Sequence, residues 1–324
     1  MTLLGDTMRK LLSTTVAAAA LAFAAPALAG SVTIDLTHPI PTFHPTDGDP
    51  MTPDLSKPWL DSTPIPSFGQ QAVFSISQFP TNQGHFDLGR IVLAEHHGTH
   101  LDTPGHYINN EGSMEAAGMA PGDRKLAHQL TSDDLIGPAV VIDISGRVQA
   151  ELDGNGGVPS NDAAVTDFSN GSGNVVGADD IDAVADRVAD GVFLVLNLGW
   201  SDFYFQGADF VNDPYINGWN HPGMNRAAVD RLIEIMEEKG VRIAGIIADN
   251  IGIESGQSAI GDDDKWSNSW HAHVRLLQRG ILFVENATNL GQVAMAGDCT
   301  IVVGAPKHVR GTGGPSRVMA ICSG

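Results

Sequence analysis

Short apolar runs of strand length recur along the chain. Residues 139–143 and 192–196 contain uninterrupted apolar runs, which are typical of strands covered on both faces. Residues 31–36 and 74–77 alternate apolar with polar positions, as half-buried strands do. Residues 91–94 form another short apolar run that leads into a histidine-rich segment. We therefore predict strands in these five segments.

The clearest helix is predicted over residues 226–239. Apolar side chains recur there with helical spacing and form one stripe. The stripe consists of Val229, Leu232, Ile233 and Met236. Asn225 is a suitable N-cap, and Gly240 is a suitable end for the helix. This amphipathic segment predicts a helix packed against a sheet.

The second half of the chain alternates helices with strands. A buried strand is predicted over residues 241–248, then a helix over 273–278 and a strand over 281–284. This alternation predicts an α/β fold, and the β-rich first third predicts a mixed sheet with packed helices. Residues 154–177 are rich in Gly, Asn, Ser and Asp and predict a surface insertion, with a helix at 179–188 after it. We expect one catalytic domain.

The N-terminus has the order of a secretory signal peptide. Met8-Arg9-Lys10 precedes the apolar run of residues 11–23, and Ala27-Leu28-Ala29 supplies a small-x-small exit. The alternative is a membrane anchor, but the run is shorter than the roughly 20 residues that a span needs. We therefore predict a signal peptide over residues 1–29, a mature domain over 30–324 without a membrane span, and a periplasmic or secreted protein.

Composition excludes some partners and leaves the state of the cysteines open. The 38 acidic and 18 basic residues give a formal charge of -20, and such a surface repels nucleic acid and anionic lipid. Hydrophobic residues at 42% and charged residues at 17% describe a globular protein. Cys299 and Cys322 could form a disulfide in an oxidising compartment or remain two buried thiols.

Residues 96–106 contain four of the twelve histidines and one aspartate. Gly98, Thr99 and Pro104 disfavour a helix there. In an extended chain alternate side chains share a face, and the polar members of one face are His96, His100, Asp102 and His106. Burying three imidazoles and a carboxylate is costly without a counter-ion, whereas a divalent metal satisfies them together. The alternatives are a solvated histidine-rich loop or histidines that pack in the core.

This segment resembles the signature of the cyclase family, which includes bacterial kynurenine formamidases and isatin hydrolases. The signature His-x-Gly-Thr-His-x-Asp-x-Pro-x-His is matched at every specified position of residues 96–106. Further matches occur in the expected order at residues 35–39, 199–201, 221–223 and 273–289. The resemblance implies the swivelling β/β/α fold of that family and a metal-dependent amide hydrolase.

The resemblance also implies the metal ligands. His96, His100 and Asp102 correspond to ligands of one metal, Mn²⁺ or Zn²⁺. In members with two metals, Asp102 would bridge to a second ion held by His106, His273 and Glu285. Beside a single metal, which we prefer, His106 and His273 would instead be catalytic residues that move protons. His271 is an alternative to His273.

The expected reaction is attack of metal-bound hydroxide on the carbonyl of a small amide. A cyclic or aryl amide is preferred, because an exported enzyme would not meet the cytoplasmic formylkynurenine pool, and arylformamidase activity is the alternative. An exported metal-binding protein without catalysis is the alternative of another class. Trp200, Trp219 and Phe203 could pack on a substrate ring or belong to the core. We also expect a homodimer or a higher homo-oligomer.

One segment departs from the family pattern. Members often carry Asp-Thr-x-Ser-Ile-Asp before the segment that begins near His273, whereas this chain has Asp249-Asn250-Ile251-Gly252-Ile253-Glu254. We expect this change to alter the substrate pocket and not the metal. The glycine-rich residues 311–316 lack the Lys-Ser/Thr of a phosphate-binding loop, and we expect them to line the site.

Overall fold

The computed structural model describes residues 30–39, 42–43, 72–76, 89–92, 94–106, 125–204, 214–256 and 270–323. The predicted signal peptide lies outside the described residues, as does most of the proline-rich region at residues 39–66. The boundary at residue 30 therefore stays a prediction.

Twelve strands and five α-helices are described. The strands are β1 (Val32–Asp35), β2 (Thr42–Phe43), β3 (Ala72–Ile76), β4 (Gly89–Val92), β5 (His100–Asp102), β6 (Ile136–Asp143), β7 (Phe193–Asn197), β8 (Gly245–Ala248), β9 (Leu282–Glu285), β10 (Cys299–Gly304), β11 (Gly313–Pro315) and β12 (Arg317–Cys322). The helices are α1 (Ser132–Leu135), α2 (Ser145–Asp153), α3 (Ala178–Asp182), α4 (Arg226–Lys239) and α5 (Leu290–Ala296). Each of the five segments predicted to be strands from their apolar patterns contains or overlaps an observed strand.

Nine of these strands form one mixed sheet in the order β1-β12-β10-β6-β7-β8-β9-β5-β11. The central strands β6, β7, β8 and β9 are parallel, because helical segments connect each to the next. The strands on both sides of this centre pair antiparallel. Strands β2, β3 and β4 form a separate three-stranded sheet. The predicted α/β fold with a mixed sheet is confirmed.

The sheet is covered on both faces. Successive side chains of β7 enter different cores, since strand side chains alternate between faces. Leu194 and Leu196 belong to the core that includes α4, whereas Phe193 and Val195 belong to the core that includes β10 and β12. All residues of β7 are buried, which explains the uninterrupted apolar run in the sequence.

Helix α4 begins and ends where the sequence predicts. The side chain of Asn225 accepts a hydrogen bond from the backbone N–H of Ala228 at 2.9 Å and so caps the first turn. Gly240 ends the helix with φ 65°, a left-handed conformation that costs glycine little. All four residues of the predicted apolar stripe are buried. Burying each such side chain contributes about 1.5–3 kcal/mol.

Three local predictions differ from the structure. Residues 154–177 are not only a surface insertion, because Phe168 and Val176 are fully buried in the larger core. The helix predicted over 179–188 is shorter, since α3 ends at Asp182 and only a 3-10 turn, Ala185–Arg187, follows. The helix predicted over 273–278 is a π-helical turn at His273–Leu277.

Cys299 and Cys322 form a disulfide. They are directly opposite each other on the antiparallel strands β10 and β12. Of the two states that the sequence allows, the structure has the disulfide. Within the described residues, no helix has the length and apolar character that a membrane span requires.

Candidate metal centre

Strand β5 carries the centre of the histidine-rich segment into the sheet. It pairs antiparallel with β9 on one side and with β11 on the other. In this register His100 is opposite Glu285, and Asp102 is opposite Gly313. Side chains directly opposite each other on antiparallel strands have Cβ atoms about 5 Å apart, so the register itself brings Glu285 to the histidines.

The predicted polar face of residues 96–106 is present in the structure. His100 and Asp102 are alternate residues of β5, and both are buried. His96 and His106 lie before and after the strand, with 22% and 30% of their side chains exposed. Their rings are in contact, tilted by 33° with centroids 3.8 Å apart. The cluster therefore has a buried side and one exposed edge.

The two oxygens of Asp102 face different pairs of histidines. Oδ1 is 2.6 Å from Nδ1 of His96 and 3.3 Å from Nε2 of His100. Oδ2 is 3.4 Å from Nε2 of His273 and 3.9 Å from Nε2 of His106. Asp102 is thus shared by two sets of imidazoles, which is the arrangement that a bridging carboxylate requires.

Glu285 spans the same two sets from the end of β9. Its Oε2 is 3.6 Å from Nε2 of His100, and its Oε1 is 3.2 Å from Nε2 of His273. Two groups of donor atoms lie close enough together to hold a cation: His96, Asp102 and His106, and His100, Asp102 and Glu285. Among the described ion pairs, none reaches Asp102 or Glu285 from His271. The structure thus brings the six predicted ligands together, and His271 makes none of the described contacts with Asp102 or Glu285.

These contacts fit a cation better than hydrogen bonds. Nδ1 of His100 is 2.9 Å from the carbonyl oxygen of Gly98 and donates its proton to it, so in the neutral ring, the form that binds a metal, the lone pair of Nε2 faces Asp102 and Glu285. Within the described part of the chain, Oδ2 of Asp102 and Oε1 of Glu285 are buried and have no hydrogen-bond partner, despite their short distances to imidazole nitrogens. Lone pairs that face each other across about 3 Å repel, whereas a divalent cation between them satisfies both.

The pKa values of the cluster residues also favour a bound cation. Burial, and then the neighbouring Asp102, raise the pKa of Glu285. Although burial opposes the charged form of His100, its contacts with Asp102 raise its pKa to about 9. Burial lowers the pKa of His106 to about 4 despite the attraction of Asp102. The site therefore concentrates carboxylates that need positive charge, which a bound metal would supply.

Glu254 is a site residue that sequence reasoning missed. It is buried, and its Oε2 is 2.8 Å from Nδ1 of His273. Burial opposes ionisation, but contact with His273 lowers the pKa of Glu254 to about 2. Glu254 is the last residue of the segment that departs from the family pattern, and that pattern also ends in a carboxylate. This retained carboxylate was the signal that could have found it.

Thr99 fixes the strand end that carries the histidines. Its hydroxyl donates to the backbone carbonyl of Asn286 at 2.5 Å and accepts the backbone N–H of His38 at 2.9 Å. Nδ2 of Asn286 donates to the carbonyl of Gly98 at 2.9 Å. The threonine of the motif therefore joins β5 to the segment that follows Glu285.

The glycine-rich residues 311–316 lie beside the site, as predicted. Oγ1 of Thr312 is 3.3 Å from Nε2 of His96. A Cβ atom at Gly313 would be 2.4 Å from Cε1 of His96. Only glycine allows β11 to approach the imidazole this closely.

Three tryptophans near the site differ in burial. Trp200 is fully buried and donates from Nε1 to the carbonyl of Tyr215 at 2.7 Å, so it does not reach the site, and Phe203 packs against it. Trp219 and Trp270 are half-buried and make an edge-to-face contact at 5.7 Å. The ring of Trp270 is 5.5 Å from that of His273. An aromatic surface therefore adjoins the cluster.

Comparison with known proteins places this site in a family. A family model named Cyclase, with the description "Putative cyclase", matches residues 34–255, which is more than half of the chain. The chain belongs to this cyclase family. A curated relative, isatin hydrolase from Roseibium aggregatum, is 25% identical over 278 residues, covering 84% of this chain and 88% of the relative.

Solved structures share the fold at lower identity. An isatin hydrolase bound to the product analogue thioisatinate has a TM-score of 0.60 and 22% identity, covering 91% of this chain and 94% of that one. Isatin hydrolase A from Ralstonia solanacearum has a TM-score of 0.59 and 21% identity, covering 90% and 92%. These likenesses confirm the predicted cyclase-family fold.

Proposed function

We propose that this member of the cyclase family is an exported metal-dependent hydrolase of a small cyclic or aryl amide. The observation that carries the proposal is the buried Asp102, whose two oxygens face four imidazoles while Glu285 spans the same space. The relationship to isatin hydrolase supports the reaction class. Isatin itself is a cyclic aryl amide, so it is the first substrate to test.

The contacts of His273 with Asp102 and Glu285 support the two-metal alternative over the single metal preferred from the sequence. In it, His96, His100 and Asp102 would hold one ion, and Asp102, His273 and Glu285 a second. His106 would be a further ligand or the residue that moves protons. Imidazole and carboxylate donors suit both Zn²⁺ and Mn²⁺, and we propose one of these ions. When bound, such an ion lowers the pKa of a water molecule from about 16 towards about 7 and polarises a carbonyl group.

The exposed edge of the cluster is where substrate would arrive. His96 and His106 are the most exposed of the six residues, whereas Asp102, Glu285 and His273 are buried behind them. His106 is therefore the side chain best placed to carry a proton to the departing nitrogen, a role that typically contributes about 10²- to 10⁴-fold to the rate. The buried residues keep water away from the other side of the site.

The neighbouring aromatic residues favour a flat substrate. Trp270 contacts His273 and Trp219 contacts Trp270, and both tryptophans are only partly buried. Aromatic rings pair well in offset-stacked or edge-to-face contacts. This surface supports an aryl amide over an aliphatic one.

The test compares metal-stripped and reconstituted protein on isatin and on an aryl formamide. We expect hydrolysis of isatin only after Zn²⁺ or Mn²⁺ is restored, and loss of both bound metal and activity in His100→Ala. His128→Ala is a matched control, because His128 is outside the cluster and contacts the backbone of Arg310. Full activity of metal-stripped His100→Ala would refute the proposal. Metal binding without turnover of any amide would favour the non-catalytic alternative, and preference for the formamide would favour arylformamidase.

Export is the second part of the proposal and rests on the order of basic, apolar and small residues up to Ala29. We expect the mature protein outside the cytoplasm to begin near Gly30, which N-terminal sequencing would show. Residues 8–29 retained on soluble protein would contradict it. The homodimer or higher homo-oligomer stays a prediction, to be measured by light scattering.

A further inference from the structure

We propose that Glu254 is a positioning residue that keeps a proton on Nδ1 of His273 and thereby directs the lone pair of Nε2 into the metal centre. The inference rests on the proposed function, since it assigns a role to a contact behind the predicted ligands. A histidine that binds a metal typically donates its other ring N–H to a carboxylate or carbonyl, which fixes the tautomer and the orientation of the ring.

The carboxylate of Glu254 contacts both the backbone and the ring of His273. Oε1 of Glu254 accepts the backbone N–H of His273 at 2.7 Å and lies 3.0 Å from the ring Nδ1. Oε2 lies 2.8 Å from the same Nδ1. On the opposite side of the ring, Nε2 is 3.2 Å from Oε1 of Glu285 and 3.4 Å from Oδ2 of Asp102. A carboxylate can only accept, so the ring must donate from Nδ1 to Glu254. At Nε2, where Glu285 and Asp102 also face the ring, a bound cation can take the place of a second ring proton.

Glu254 is held rigidly enough for this role. The backbone on both sides of it is tied to Met224, because Met224 donates its N–H to Ile253 at 2.8 Å and accepts that of Ser255 at 2.9 Å. The chain also packs closely there, since a Cβ atom at Gly223 would lie 2.2 Å from the carbonyl oxygen of Glu254. The backbone of Glu254 is therefore fixed, and its side chain is buried against His273.

This geometry predicts an unusual effect of Glu254→Gln. The amide oxygen of glutamine must replace Oε1, because the backbone N–H of His273 needs an acceptor. The amide nitrogen then replaces Oε2, 2.8 Å from Nδ1, and donates a proton to it. The isosteric change thus moves the ring proton to Nε2, where it blocks the lone pair that would bind the metal.

The experiment records ¹⁵N spectra of protein labelled at histidine, metal-free and with Zn²⁺, which is diamagnetic. The ¹⁵N chemical shift separates a protonated from an unprotonated ring nitrogen, and His273→Ala assigns the signals. We expect Nδ1 of His273 to be protonated in the wild type and in Glu254→Asp, and unprotonated in Glu254→Gln. Zn²⁺ titration should show binding weakened by about 10- to 100-fold in Glu254→Gln, with at least partial recovery in Glu254→Asp.

Glu151→Gln is the matched control. Glu151 also accepts one backbone N–H, from Asp167 at 2.7 Å, and one side-chain N–H, from Asn174 at 2.9 Å, but it contacts no residue of the cluster among those described. Its substitution should leave the His273 signals and the Zn²⁺ affinity unchanged.

An unprotonated Nδ1 in the wild type would overturn the inference, as would identical His273 signals in the wild type and Glu254→Gln. If Glu254→Gln does not fold, the ¹⁵N signals of the wild type and Glu254→Asp still show whether Nδ1 of His273 is protonated. Absence of Zn²⁺ binding by the wild type would instead refute the proposed function, while the metal-free spectra would still show whether Glu254 sets the tautomer.

Discussion

Replacing Thr99 by valine removes a hydroxyl and keeps the shape of the side chain. In the folded protein that hydroxyl satisfies two backbone groups, the carbonyl of Asn286 and the N–H of His38. Asn286 is buried and His38 is half-buried. Thr99→Val therefore leaves one buried acceptor and one partly buried donor without their partner, while the packing around the β-branched side chain changes little.

The expected cost follows from those two groups. A buried backbone group left without a hydrogen bond costs about 1–3 kcal/mol. The carbonyl of Asn286 should cost an amount within this range, and the more accessible N–H of His38 should cost about 1 kcal/mol. We therefore expect Thr99→Val to lower the free energy of unfolding by about 2–4 kcal/mol, a large part of the roughly 5–15 kcal/mol of a typical domain.

Urea unfolding of metal-free protein, followed by circular dichroism, measures this change. Thr300→Val is the matched control, because Thr300 is an exposed residue of β10 and surface substitutions typically stay within about 0.5 kcal/mol. Equal unfolding midpoints for the two variants would refute the reasoning that Thr99 joins β5 to the chain after Glu285.

Three further predictions concern the cluster and its surroundings. We expect His273→Ala to reduce the metal content measured by elemental analysis, because Nε2 faces Asp102 and Glu285; one retained metal with about 10²- to 10⁴-fold slower turnover would instead support a single metal. Zn²⁺ at about 100 times its Kd should stabilise the wild type by about 2.7 kcal/mol in thermal unfolding, and an equal gain in His100→Ala would contradict the assigned ligands. Burial raises the pKa of Asp249 from 3.8 to about 6, although backbone N–H groups oppose this. The buried, neutral carboxyl group of Asp249 thus stabilises the fold below about pH 4, and this contribution is lost as the pH rises through 6. The free energy of unfolding should therefore fall between pH 4 and 6 in the wild type and fall less in Asp249→Asn. An identical slope in the two proteins would contradict this prediction.

The sequence predicts the local part of the site well. His100 and Asp102 share a face because they are alternate residues of an extended segment, and that rule depends only on neighbouring residues. Helix α4 is predictable for the same reason, since its cap, apolar stripe and terminal glycine are contiguous. The positions of His273 and Glu285 could be inferred only through the family resemblance, because strand pairing between distant segments leaves no local pattern.

The remaining contacts could not be predicted because their residue types are common in every kind of structure. Glu254 resembles any glutamate until the fold places it against His273. Asn286 and Thr312 enter the site through strand ends that are far from residues 96–106 in the sequence. The insertion at residues 154–177 was misjudged for a related reason, since a few buried side chains such as Phe168 are enough to anchor a polar segment.

The pairing of β5 with β9 gives a bound cation a role during folding. A strand that slips by one residue presents all its side chains to the other face, and β5 has only three residues to resist such a slip. In the native register His100 is opposite Glu285, and only this register collects the donor atoms on one face. A cation present during refolding would therefore bind and stabilise only the chains in which β5 has the native register. It would raise the yield of native protein as well as its stability.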